Sequence, residues 1–308
     1  MIRAELLADR GAAAESDDFF RSRPFLDAEG VGHTLRIGDA LALPVIVREI
    51  DDAGGAIDGI SPYGYPGAGG DPPQPPQPAD VDWSASGLVS LFVRDRIGGP
   101  PCLAGGTERS LVQIHDPAHP RGVRSRLAEQ IRSNERRGWE IQRVAAPRAS
   151  DQERAALLAI YTETMTRAEA SARYFYGAEY FRAILAFADS FLLFARSPEG
   201  NLEAAAIVAR SDGHLHYYLG GTADDALHAS PFKNVVAAML DLADELGLPL
   251  NLGGGVRPGD GLEGFKRGFA NAEAPFLTHE VVCDAPAYSR LAGGRDADGF
   301  FPAYRAPA

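Results

Sequence analysis

Lysine is almost missing from this chain. Of its 30 basic residues, 28 are arginine and only Lys233 and Lys266 are lysine, so the first 232 residues contain none. A GC-rich coding bias leaves such a skew wherever either cation serves. A lysine that persists then marks a place for a compact, rotatable ammonium rather than a planar guanidinium. Cysteine is equally scarce. Cys102 and Cys283, far apart in the chain, exclude a disulfide framework and a cysteine-rich metal site. No stretch reaches the ~18–20 unbroken apolar residues of a membrane span. The opening MIRAELLADRGAAAESDDFF places Glu5, Asp9 and Glu15 among its apolar residues, so no secretory signal is read and the cytoplasm is the expected location. Positive charge is short overall. The net charge of −12 argues against a protein that coats nucleic acid, while a local basic patch touching the end of one RNA remains compatible with it. HExxH and G-x-S-x-G motifs are absent, and His214-x-His216 has no further ligand at useful spacing. Neither a metal nor a serine hydrolase is expected.

What is present suits two α/β domains of about 150 residues each. Hydrophobic residues make up 45% and charged residues 23% of the 308, enough for two cores. Thr34–Ile50 offers two short β-like runs. Ser61–Ala79, SPYGYPGAGGDPPQPPQPA, is too rich in Pro and Gly for a helix or central strand and reads as a long loop with an aromatic start. Ala85–Ile97 spaces Leu88, Val89, Phe92, Val93 and Ile97 as a helix would. Val123–Arg137 predicts a basic helix stopped by Gly138, followed by a strand over 139–144.

From Asp151, a helix cap, the pattern predicts helices to about Ala170 and over 178–188, then strands over 190–196, 203–210 and 214–220. A helix opened by Ser230-Pro231 and closed by Gly247 follows, then a strand over 248–252, a helix over 261–269 and a strand over 274–283. The order α, α, β, β, β, α, β, α, β is that of an acetyltransferase-type (GNAT) mixed sheet with helices on both faces. We expect domains at 1–148 and 149–284, with the tail 285–308 returning to the first.

Four passages in order, IRSNERRGWEI (131–141), YTETMTRAEASARYFYGAEYF (161–181), HYYLGGT (216–222) and LGGG…DGLEGFKRGFA (252–270), resemble the Fem family of aminoacyl-tRNA-dependent transferases. SPYGYPG (61–67) is a weaker echo. The resemblance implies two tandem GNAT-like domains, the first binding the acceptor and the second the aminoacyl-tRNA end. It implies a cytoplasmic aminoacyltransferase that joins an amino acid to the amine of a peptide-like acceptor. Aminoacyl-tRNA would be the co-substrate, with no other cofactor. The chain has no coiled-coil insertion and so looks like the short members. It also lacks the early lysine that would hold a nucleotide diphosphate, which shifts the expected acceptor from a peptidoglycan precursor toward a natural-product peptide, as in antibiotic biosynthesis.

The family carries a Phe-Lys pair where this chain has Phe265-Lys266. Lys266 is thus expected to stabilise the oxyanion of the tetrahedral intermediate, with Phe265 as packing partner. Gly254 and Gly255 in the glycine run permit a close backbone approach to a ligand. Arg267 at the same helix, and Arg132, Arg136 and Arg137 of the basic helix, are candidates for tRNA phosphates, although Glu129 and Glu135 suit ordinary i, i+3/i+4 pairing. Candidates for the acceptor are Ser61, Tyr63, Tyr65, Arg167, Tyr174 and Tyr218. Two alternatives stay open: an acyl-CoA-dependent N-acyltransferase of the same fold, for which no full Gln/Arg-x-x-Gly-x-Gly/Ala loop is found, and a non-catalytic peptide-binding fold.

Overall fold

A computed structural model describes residues 1–9, 16–51, 53–70, 72–257, 259–295 and 299–306. Asp71 of the expected loop and residues 296–298 and 307–308 of the tail lie outside the described residues. The chain forms two compact units, one from Met1–Arg109 with Pro275–Ala308 and the other from Ser110–Ala274. These limits differ from those expected at 148/149 and 284/285. The basic helix and the strand after it belong to the second unit because they pack on its core, where Ile131, Leu127 and Trp139 join the buried cluster.

In the first unit, strands β1 (Ile2–Leu7), β2 (His33–Ile37), β3 (Leu41–Glu49), β4 (Ile57–Ile60), β5 (Val81–Asp82), β6 (Leu88–Arg94) and β13 (Ala272–Val282) run in the order β5-β1-β2-β3-β4-β6-β13. A short helix, α1 (Arg23–Ala28), follows β1. β4 and β6 are parallel, Ile60 opposite Phe92, and the rest of the β1-to-β13 ladder is antiparallel. The segment from Ala85 is therefore a turn and the strand β6, not the helix its spacing predicts. Leu88, Val89, Ser90 and Leu91 are all buried, and a strand covered on both faces reads as a continuous apolar run whose residues fall on helical spacing by chance. The tail helix α7 (Ala285–Ala292) packs on β6 through Ala287 and Val89. Asp58, fully buried, accepts hydrogen bonds from Arg48, Arg305 and Tyr304, so the tail is also fixed by charge.

In the second unit, β7 (Thr107–His115), β8 (Glu140–Ala145), β9 (Ser190–Arg196), β10 (Leu202–Ser211), β11 (His214–Thr222) and β12 (Leu250–Gly253) run β7-β12-β11-β10-β9-β8. One face carries α2 (Ser125–Arg136) and α5 (Phe232–Leu246), whose Val235, Val236, Met239 and Leu240 meet Leu193, Ala204 and Ala206. The opposite side carries α3 (Asp151–Arg167), in contact with β10 and β11, and α4 (Ala178–Ile184) packed on α3. Ala204 to Ala209 are all fully buried, as a strand between two helical layers requires. α3 is capped by Ser150, not Asp151. The Ser150 hydroxyl accepts from the Glu153 amide while the Glu153 carboxylate accepts from the Ser150 amide.

Candidate functional site

The site of the second unit begins where two strands part. β11 and β12 are parallel but pair only at Leu215–Leu250 and His216–Asn251. β11 also carries an extra residue: Val208 faces Tyr217 and Ile207 faces Leu219, leaving Tyr218 as a bulge. A bulge bends its strand and re-aims its side chains. Beyond this point lies a cleft of about 190 Å³. Its floor is Tyr217, Gly220 and Gly221 of β11 with Leu252 of β12. Phe232 and Val236 of α5 and Leu262 and Phe265 of α6 (Gly261–Arg267) form apolar walls, and Thr164, Arg167 and Lys266 supply the polar groups. Gly221 is dictated by closeness, since a Cβ there would stand 2.0 Å from the Thr164 hydroxyl oxygen. That hydroxyl accepts from the Thr222 amide and ties α3 to β11.

Lys266 is half-buried and its ammonium donates to the Gly254 carbonyl at 2.8 Å. It sits 5.6 Å from the centre of the Tyr217 ring, a cation–π distance. Burial lowers its pKa to about 8, against a smaller opposing effect of Asp260. The ammonium is thus weakly solvated and mostly protonated at neutral pH, a short step from giving up a proton. Phe265 packs against Phe269 and Phe232 in the wall.

The glycine run shapes the lysine's surroundings. Gly253 has φ 78°, and a Cβ on Gly255 would come within 2.4 Å of Asp260. Asp260 accepts from the amides of Val256, Arg257 and Glu263, which hold its carboxyl below the usual carboxylate range and cap α6. Gly254 and Gly255 therefore wrap a tight turn around Asp260 and present one carbonyl to Lys266.

The other expected residues divide. Arg167 lines the cleft, but its guanidinium is held by Asp224 and the Thr222 carbonyl. Arg267 pairs with Glu263 and Glu273. Tyr218 is turned to Tyr180 by a hydroxyl–hydroxyl hydrogen bond, so Tyr217, not Tyr218, faces the cleft. The Tyr174 carbonyl accepts from Tyr161 and its ring lies under Arg173; it is not among the residues that line the cleft. Arg132, Arg136 and Arg137 are exposed, and among the described residues they form no ion pair with Glu129 or Glu135. In the first unit, Ser61 is buried and its hydroxyl accepts from the Arg94 amide, Tyr65 packs between Phe20 and Phe276, and Tyr63 is exposed.

Thr164 and Phe232 were not singled out from the sequence, and of the adjacent pair Tyr217 and Tyr218, one of which alternation aims at the cleft, the expectation fell on Tyr218. The Gly220-Gly221 pair on a strand is the sequence signal that could have marked a close approach there.

The fold implies acyl-CoA as a donor, with its pyrophosphate at the start of α5. In this chain the β11–α5 connection, Ala223 to Pro231, has no glycine and carries Asp224 and Asp225, and no side chain caps α5. Asp224 is paired with Arg167, and this connection supplies no run of glycine amides to cradle a pyrophosphate, so the residues present do not fit that group.

Residues 121–267 match the family model described as Acetyltransferase (GNAT) domain. The chain thus has a GNAT-type α/β fold. It is similar to the crystal structure of FemX, with 10% identity, 87% of this chain and 93% of that one covered, and a TM-score of 0.63. It is also similar to the C-terminal domain of a putative lysylphosphatidylglycerol synthetase from Agrobacterium fabrum (12% identity, 90% and 90% covered, TM-score 0.57). A third is L-PGS from Bacillus licheniformis (14%, 86% and 87%, 0.53). No curated protein matches it in sequence. No helix among the described residues is long and apolar enough to cross a membrane.

Proposed function

We propose that this protein is an aminoacyl-tRNA-dependent aminoacyltransferase whose second unit holds the transfer centre. The observation that carries the reading is Lys266, held between the Gly254 carbonyl and the Tyr217 face in the cleft of a GNAT-type sheet whose phosphate-binding loop is missing. In transfer, the neutral amine of the acceptor attacks the ester carbonyl carbon. The C–N bond forms as the bond to the tRNA 3′ oxygen breaks, and the amine proton ends on that oxygen. Negative charge collects on the former carbonyl oxygen, and an ammonium in an apolar cleft stabilises it more than water would. The ester is already activated, so positioning supplies much of the remaining rate. The apolar wall of Phe232, Val236 and Phe265 would seat the aminoacyl group.

The exposed arginines of α2 are the proposed contact for tRNA phosphates. The first unit, with Tyr63 exposed on its aromatic loop, is the proposed acceptor half. The acceptor is a small peptide-like amine, from a natural-product peptide or a peptidoglycan precursor, and the working compartment is the cytoplasm.

The test is transfer of labelled amino acids from a mixed pool of charged tRNA to a panel of peptide amines and, separately, to phosphatidylglycerol vesicles. Label on a peptide that disappears with RNase is the expected result. Label on the lipid instead would move the acceptor class, and RNase-resistant transfer from an acyl-CoA would overturn the reading.

A further inference from the structure

The sequence pointed to no metal, because its donors are scattered. Within the first unit the fold gathers three of them. Asp95 follows β6 directly, and its amide donates to the Leu277 carbonyl of β13. Cys102 lies in the loop that leaves β6, and its amide donates to both Asp95 carboxylate oxygens, at 3.0 and 3.2 Å. His279 of β13 places Nε2 2.8 Å from Asp95 Oδ2. One donor atom from each residue lies within 4.8 Å of the others, and the three are 1%, 3% and 3% exposed. Room is kept for the imidazole by Gly106, where a Cβ would come within 2.8 Å of the ring.

We propose that Asp95, Cys102 and His279 form a buried site for a zinc-class divalent transition metal. The inference is independent of the proposed activity. The donor set is sulfur, imidazole nitrogen and carboxylate oxygen, the three kinds that zinc takes at about 2.0–2.3 Å. Such bond lengths put ligand atoms about 3–4 Å apart, so the observed cluster needs only a small closure. Charge supports the same choice. Among the described residues Asp95 pairs with His279 and accepts the Cys102 amide, with no Lys or Arg beside it; a dication would replace the hydrogen bond to the imidazole with a full compensating charge. A dication with one thiolate, one carboxylate and a neutral imidazole is balanced. Binding breaks the S–H bond, forms the metal–sulfur bond and releases the proton to solvent. The ion would fasten the loop from Asp95 to Gly106 onto β13.

Untagged full-length protein, purified without chelator, should contain one metal ion per chain by mass spectrometry. Stripped protein refilled with Co²⁺ should show a thiolate charge-transfer band in the near ultraviolet. That band should vanish in Cys102→Ser and His279→Gln and persist in Cys283→Ser. Wild-type protein that carries no metal, and whose melting temperature does not move when Zn²⁺ or Co²⁺ is added, would overturn the site and leave a hydrogen-bonded triad. A cobalt band unchanged in Cys102→Ser would overturn it equally.

Discussion

An ammonium and a guanidinium differ most where space is small and a single acceptor must be met, and Lys266 occupies such a place. In a chain that uses arginine almost everywhere, its persistence was the most informative sequence signal, and the structure gives the reason in the Gly254 carbonyl and the Tyr217 ring. Lys266→Ala should lower the transfer rate by ~10²–10³-fold, the usual cost of one oxyanion donor. Lys266→Arg should fail to restore it, because a planar fork cannot replace a compact donor here. Both are read from single-turnover rates. With burial lowering its pKa to about 8, the charged form predominates below that pH and is lost above it. Transfer per neutral acceptor amine should therefore fall as pH rises through about 8. The decline should be absent from the residual activity of Lys266→Ala. Gly221→Val should bring β11 against Thr164 and lower stability by ~1–3 kcal/mol, measured by denaturant unfolding.

At the scale of elements, the second unit was legible because its strands and helices are marked by capping and turn residues. Gly247, in the left-handed conformation, ends α5 where the sequence places it. The Ser150–Glu153 capping box starts α3 one residue before the Asp151 suggested by propensity. Ser150→Ala should cost about 1 kcal/mol in chemical unfolding. The strand β6 was misread because burial on both faces erases alternation. The β11 bulge had no sequence signature, and the expectation fell on Tyr218 because alternation alone does not show which tyrosine enters the cleft. Tyr217 does, and Tyr218 turns to Tyr180.

For the whole molecule, the order of elements in residues 149–284 pointed correctly to a GNAT-type sheet. Compact-unit limits at Arg109/Ser110 and Ala274/Pro275 were not legible, since strand pairing between distant segments is non-local and leaves no boundary composition. The cluster of Asp95, Cys102 and His279 was hidden for the same reason. The α2 arginines gain meaning only when their lack of partners among the described residues is seen. Replacing Arg132, Arg136 and Arg137 with alanine should weaken charged-tRNA binding and flatten its salt dependence, with transfer from a saturating donor little changed.

The most direct test of the central claim is a single-turnover comparison of wild type and Lys266→Ala with charged tRNA at saturation, alongside binding of that tRNA. Wild type should show RNase-sensitive transfer, and the variant a large loss of rate with binding retained. Transfer that is indifferent to Lys266, or that proceeds from an acyl-CoA after RNase treatment, would contradict it.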